Sequence, residues 1–296
     1  MFVLAHISDP HLAPLPQPHW SELIGKRAIG FVNWHRNRSL IHRTEVLNRV
    51  VADLRAAGPD HIALTGDLVN VSAAGEYRPA RAWLHSLGSP ADVSLVPGNH
   101  DVYVRAGTPH LRSHWSEFMR GDETQSLEFP FLRRRGPLAL IGLSSAVPTA
   151  PFMATGWIGT AQLARLAELL DGCEREGLFR VVLIHHPPVS TAQRHFKRLI
   201  DGPRFRKILS QHGAEIVLHG HDHVHSVVHL EGPRHPIPAV GVPSASQFPR
   251  TGHDPPGYNL CYIEGQTGGW RCEIVGRGLA PDGVSITEIN RVSYLA

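Results

Sequence analysis

The sequence predicts an α/β fold in which two packed β-sheets carry helices on their outer faces. Two observations predict it. Short apolar runs alternate with amphipathic ones along most of the chain, and beyond residue 223 the helical spacing stops and only strand-like runs remain. The 296 residues suffice for one large domain or two small ones. No internal repeat, low-complexity stretch or composition break marks a linker. The expectation is a single domain over 1–296, with an insertion at about 14–43 and a β-rich part from about 224.

Residues 2–7 form a β-rich run that ends in polar residues. Residues 40–57 have helical spacing: Ile41, Val46, Leu47, Val50, Val51 and Leu54 fall near one face, and Gly58-Pro59 stops the pattern. Residues 61–64 read as a strand, 76–87 as a helix stopped by Gly88, and 93–96 and 138–143 as strands. Residues 160–176 form a helix with Leu163, Leu166, Ala167 and Leu170 on one face and Gly177 after it. A buried-type strand follows at 181–184, then a short helix at 205–211 and a strand at 215–218. Residues 226–230, 238–242, 258–263 and 270–275 are strands separated by Gly and Pro.

Apolar residues make up 42% of the chain and charged residues 19%, which supports a packed core and argues against disorder. A formal net charge of +3 is too weak to argue for nucleic acid, and none is expected as a partner. The three cysteines, Cys173, Cys261 and Cys272, form no CxxC pair. That argues against a disulfide framework or a zinc finger and for a reducing, cytoplasmic setting. No apolar run approaches the roughly 20 residues that cross a bilayer. Residues 1–8 read directly as a strand, without a charged leader or cleavage site, so no signal peptide is expected. Histidine is in excess, with 21 copies, and it is the commonest metal-ligating side chain.

Five polar clusters recur at one structural place, the C-terminal end of a predicted strand. They are Asp9-Pro10-His11, Gly66-Asp67, Gly98-Asn99-His100-Asp101, His185-His186-Pro187-Pro188 and Gly220-His221-Asp222-His223. In open α/β sheets these strand ends form the ligand crevice. Carboxylate, imidazole and amide oxygen suit Mn, Fe or Zn, and no thiolate takes part. Each cluster alone has an ordinary reading as a turn, a helix cap or a strand end. The joint pattern decides, because five such clusters in five equivalent places converge on one site.

The order of these motifs resembles the signature of the calcineurin-like metallophosphoesterases: D-x-H, GD, GNH followed by Asp or Glu, H, and GHxH. Every motif is present between Met1 and about His223. The resemblance implies a four-layer αββα sandwich of two mixed β-sheets flanked by helices, with two divalent metal ions between the sheets. One metal would take Asp9, His11, Asp67 and His223. The other would take Asp67, Asn99, His185 and His221, so that Asp67 bridges. A metal-activated water would attack a small-molecule phosphate ester. His100 would stabilise the developing charge or protonate the leaving oxygen, and Asp101 would orient His100. His186 is the weaker member of its pair, since the family ligand aligns with the first His of H-x-P.

Departures from the pattern narrow the branch. The segments Ser8-Asp9-Pro10-His11-Leu12 and Gly66-Asp67-Leu68-Val69-Asn70, with Asp101 after His100, miss the GDxHG, GDxxDRG and GNHE of serine/threonine phosphatases. Asn70 stands where purple acid phosphatases place a tyrosine ligand. The combination of GNHD, HHPP and GHxH is similar to bacterial cyclic-nucleotide and glycerophosphodiester phosphodiesterases. A nucleotide-lipid pyrophosphatase or a phosphomonoesterase of the same superfamily is the alternative. A non-catalytic metal-binding scaffold is the alternative of a different class, disfavoured because every ligand and His100 are kept. His219-Gly220-His221-Asp222-His223 is also similar to the HxHxDH of metallo-β-lactamase-like enzymes, but it is one residue short.

The insertion at about 14–43 carries Lys26, Arg27, Arg36, Arg38 and Arg43 among Trp20, Phe31, Val32 and Trp34. It is long for a loop. It reads as a solvated helical insertion, as a lid over the site, or as an element in peripheral contact with a membrane.

Overall fold

A computed structural model describes residues 1–190, 192–248 and 254–295. In chain order the strands are β1 (Phe2–Ile7), β2 (His61–Leu64), β3 (Val93–Leu95), β4 (Phe131–Arg135), β5 (Leu138–Gly142) and β6 (Phe179–Leu183). They continue as β7 (Ile216–His219), β8 (Ser226–Leu230), β9 (Ile237–Gly241), β10 (Gly257–Glu264), β11 (Arg271–Leu279) and β12 (Ile286–Leu295). The α-helices are α1 (Lys26–Arg36), α2 (Thr44–Ala56), α3 (Ala74–Leu87), α4 (Gly107–Trp115), α5 (Thr160–Arg175) and α6 (Gly202–His212).

The strands form two six-stranded sheets, ordered β12-β11-β10-β1-β2-β3 and β4-β5-β6-β7-β9-β8. Both are mixed. In the first, β1, β2 and β3 run parallel, and β10 joins β1 antiparallel. In the second, β5, β6, β7 and β9 run parallel between antiparallel edges. The parallel strands β2, β3, β5, β6 and β7 are buried along their whole length, as expected for strands covered on both faces.

The alternation of side chains sorts the core into layers. Val181 and Leu183 of β6 face the first sheet and join a core with Leu4, Leu64, Leu95 and Leu140. Val182 points the other way and packs with Leu166 of α5 and Phe205 of α6. On the far side, α2 lays Leu47, Val50 and Leu54 on the first sheet. Helix, sheet, sheet and helix therefore stack in four layers, as the resemblance implied.

Register fixes where the loops emerge. Ile7 pairs with Leu64, and Leu64 with Leu95, so β1, β2 and β3 end level with one another. The strand ends carrying the polar clusters open on one edge of the sandwich.

Several elements differ from the sequence reading. Helix α2 begins at Thr44 rather than 40, because residues 38–40 form a 3-10 turn and Arg43 N–H donates to Ser246 O at 3.0 Å. Helix α4 and strands β4 and β12 carry too little apolar periodicity to be recognised, whereas α1 falls in the insertion, one reading of which is helical. β12 is exposed along most of its length and pairs only with β11, so no buried face marks it. β4 reads Phe-Leu-Arg-Arg-Arg, and its Arg133 points inward.

The Arg133 guanidinium donates to the carbonyls of Arg120 (2.8 Å), Pro90 (2.8 Å), Val93 (2.7 Å) and Glu117 (2.7 Å). It clamps the β3 edge of one sheet to the β4 edge of the other. Arg133→Met should lower the unfolding free energy by about 2–4 kcal/mol, since it leaves buried carbonyls unpaired. Urea unfolding followed by circular dichroism reads this, and a loss below about 1 kcal/mol would contradict the clamp.

Candidate metal centre

The loops after β1 and β2 are bonded to each other through their backbones, as are those after β6 and β7, and His221 N–H joins the two pairs by donating to Asp9 Oδ2 at 3.0 Å. Asp9 N–H donates to Gly66 O at 3.0 Å, His11 N–H to Asp67 O at 3.1 Å, and Gly220 N–H to His185 O at 3.1 Å. The approach is close enough that a Cβ at Gly66 would run into the Gly98 backbone, and Gly66 itself has φ of 96°. Seven described residues other than glycine have positive φ, and five of them are Asp9, His11, Asp67, His221 and His223. Asp and His tolerate that region better than most side chains, yet each such residue carries strain. Backbone strain thus concentrates on the residues that the motifs single out.

Their side chains form two groups. In one, ligand atoms of Asp9, His11 and His223 lie within 4.8 Å of one another; in the other, those of Asp67, His185 and His221 do. Asp9 Oδ1 is 3.1 Å from His223 Nε2 and 3.9 Å from His11 Nε2. Asp67 Oδ2 is 3.4 Å from His185 Nε2 and 3.8 Å from His11 Nε2, so it touches both groups. Asn99 Oδ1 lies 3.1 Å from His185 Nε2 and adds an amide oxygen to the second.

The ring nitrogen that faces away from each group is held by an oxygen. His185 Nδ1 contacts Thr65 O at 2.6 Å, His223 Nδ1 contacts Gln247 Oε1 at 2.9 Å, His221 Nε2 contacts Lys197 O at 3.1 Å, and His11 Nδ1 contacts Val69 O at 3.4 Å. Carbonyl oxygens only accept, so these nitrogens carry the protons and the opposite nitrogens present lone pairs to the centre. One result is that His185 Nε2 and His221 Nδ1 face each other at 3.2 Å. Burial opposes charge on His185, yet neighbouring Asp67 carries its pKa up to about 10, so the pocket draws a positive charge to this place, a proton on Nε2 or, in its stead, a cation. With nitrogen and oxygen donors and no thiolate, the set fits two divalent cations.

The match to known proteins agrees with this geometry. A profile of the calcineurin-like phosphoesterases matches residues 2–225. The chain belongs to that family. A probable cyclic nucleotide phosphodiesterase of Synechococcus is 29% identical over 177 residues, covering 59% of this chain and 62% of the relative. A glycerophosphodiester phosphodiesterase of Enterobacter lignolyticus is 29% identical over 196 residues, covering 63% and 57%. A cAMP/cGMP dual specificity phosphodiesterase of Mycobacterium tuberculosis is 26% identical over 228 residues, covering 71% and 61%. The matches thus span about three fifths of these relatives' lengths. Among solved structures, a dimetal phosphatase from Danio rerio superposes with a TM-score of 0.63 at 15% identity, covering 98% of each chain. A purple acid phosphatase from yellow lupin superposes at 0.60 and 10%, covering 99% of this chain and 53% of that one. At these identities both show a shared fold.

The remaining motif residues divide by what they touch. His186 has both ring nitrogens engaged, with Ser145 Oγ at 2.8 Å and Ala154 O at 3.1 Å, and stands behind the centre. Asn70 donates its amide N–H to Leu12 O at 2.9 Å. His100 is half-buried beside the centre, and its Nδ1 lies 2.5 Å from Asn70 O. Burial, then the charge of Arg38, lowers its pKa to about 3. Nothing in the motifs marked Arg38, Gln247 or the carbonyls that orient the ligands. Backbone carbonyls leave no residue signature, and Gln247 belongs to no motif.

The expected pairing of Asp101 with His100 is corrected. The fully buried carboxylate of Asp101 accepts backbone N–H groups instead. They come from Asp67 (2.8 Å), Leu68 (2.8 Å), Val69 (3.1 Å) and Gly98 (2.8 Å). His100 is oriented by Asn70 O, because the turn through Gly98 carries Asp101 under the Asp67 loop and away from the imidazole. Burial first, then the charge of Asp67, pushes the Asp101 pKa up to about 7.

Asp101→Asn should therefore act on stability and metal retention. An amide NH2 cannot accept, so at least one pair of backbone donors loses its acceptor, at a cost of about 3–5 kcal/mol. Calorimetry should show a clearly lower Tm, and elemental analysis a lower metal content. A variant with wild-type Tm and metal content would contradict the assignment.

Proposed function

We propose that this protein hydrolyses a phosphodiester with the help of two divalent cations. Asp9, His11, Asp67 and His223 hold one, and Asp67, Asn99, His185 and His221 hold the other. The observation that carries the reading is Asp67: its Oδ2 faces both groups, while its Oδ1 is pinned by His100 N–H at 2.7 Å. A carboxylate so held suits a bridging ligand. The donor set favours Mn or Fe and is compatible with Zn. When bound, such ions supply Lewis acidity and acidify a water.

The residues of the chain do the rest. Tyr103 stacks on His100, with ring centres 5.2 Å apart and 12° between planes, and Asn70 O fixes the other edge of the imidazole. His100 is thereby aimed at the centre, with Arg38 Nη1 3.0 Å from its Nε2. An anionic phosphate beside it raises the affinity of Nε2 for a proton, which His100 then gives to the leaving oxygen. The three phosphodiesterase relatives support a diester as the substrate class. Among the described residues no helix is long and apolar enough to cross a membrane.

Two measurements test this. Protein saturated with Mn or Fe should bind two metals per chain by elemental analysis, and Asp67→Asn should reduce both metal content and turnover by at least about 100-fold in rate. No bound metal under saturating conditions, or wild-type turnover in the variant, would overturn the centre. Second, bis(p-nitrophenyl) phosphate should be cleaved at least as fast as the monoester. Strong monoesterase activity with no diesterase activity would move the protein to a phosphatase branch.

A further inference from the structure

The insertion is fixed to the body at several places. At its start, Lys26 Nζ donates to Thr149 Oγ1 at 2.6 Å and to Met153 O at 3.0 Å, while Arg27 donates to the carbonyls of Val71 and Ser72. At its end, Phe248 N–H donates to Ile41 O at 2.6 Å, and His42 sits against His11 with ring centres 4.4 Å apart. Between these ties a 3-10 turn begins at Arg38, whose carbonyl accepts the N–H groups of Ile41 and His42 at 3.0 and 2.9 Å. The segment is a wall of the site, and Arg38 is its innermost charge.

The guanidinium of Arg38 lies between the metal-centre residue His11 and the substrate-facing His100. Nη2 is 3.0 Å from both ring nitrogens of His11, and Nη1 is 3.0 and 3.2 Å from the two of His100. A nitrogen nearly equidistant from both nitrogens of one ring lies over its face. Such contacts do not satisfy in-plane N–H donors. Burial lowers the Arg38 pKa, and the neighbouring Asp67, Tyr103, Asp9 and Glu76 offset that only in part, so the guanidinium keeps its charge in a setting short of counter-charge. The planar fork is thus held at the centre with donors to spare, and its geometry matches two oxygens of a phosphoryl group.

We infer that Arg38 binds the non-bridging oxygens of the substrate's phosphoryl group and stabilises the charge that builds on them in the transition state. This rests on the phosphoesterase reading and adds that the insertion completes the catalytic site. Small aryl diesters therefore depend on Arg38 as much as larger substrates do.

The test compares metal-loaded wild type with Arg38→Ala, Arg38→Lys and, as a control, Arg36→Ala, which alters an exposed position of α1. Inorganic phosphate is titrated by calorimetry, bis(p-nitrophenyl) phosphate turnover is measured, and metal content is determined. Arg38→Ala should weaken phosphate binding by about 10-fold or more and lower kcat by about 100-fold, with two metals retained. Arg38→Lys should recover only part, since an ammonium keeps the charge but not the fork. Added guanidinium ion should partly restore Arg38→Ala, and Arg36→Ala should behave as wild type. Near-wild-type phosphate binding and turnover in Arg38→Ala would overturn the inference while leaving the phosphoesterase reading intact. Loss of metal from Arg38→Ala would also overturn it, by making Arg38 a support for His11. A wild type that holds two metals but neither binds phosphate nor cleaves the diester would sink both readings.

Discussion

A single carboxylate sets the frame of the centre. Asp101 gathers backbone N–H groups from the loop after β2 and from the turn after β3, so two segments that meet only at their strand ends move as one. Asp67 inherits its position from this. Its backbone N–H is held by Asp101, its φ of 55° is maintained against strain, and its carboxylate is left to face both histidine groups. A buried carboxylate that accepts several N–H bonds is worth far more than an exposed one, because water is absent and cannot take over the donors.

Around that frame the strain is distributed with a purpose that packing alone does not supply. Asp9, His11, Asp67, His221 and His223 adopt left-handed backbone in loops that are otherwise well hydrogen-bonded. The turns reverse the side chains toward one another across the gap between the sheets. The sandwich beneath tolerates this because its own core is continuous. Leu4, Leu64, Val181 and Leu218 pack in the interior below the centre and take no part in it.

The insertion changes what the centre can recognise. The two candidate triads draw their side chains from strand ends of both sheets, whereas Arg38 reaches them from a segment outside the sandwich. Trp34 stacks on His42 with planes 5° apart, and His42 packs on His11, so the wall is coupled to the centre through aromatic contacts. Gln247 serves both: its side chain orients His223, and its backbone pairs with His42.

Most of the fold was legible in the sequence wherever burial is periodic. β1 and β2 have the predicted limits, and α2, α3 and α5 fall within a few residues of theirs, because each has one apolar face or is apolar throughout; β8 also has its predicted limits, although most of it is exposed. The exposed β12 and the arginine-rich β4 lack that signature. In the centre, residue type and spacing marked the five clusters, the resemblance singled out Asp9, His11, Asp67, Asn99, His185, His221 and His223 within them, and the structure brings their donor atoms together. Their grouping into two triads, the turning of Asp101 onto the backbone instead of His100, and the arrival of Arg38 were decided only by the tertiary structure. These depend on which loops approach across the two sheets and on which nitrogen each carbonyl claims, and such contacts between distant segments leave no periodicity or spacing in the chain.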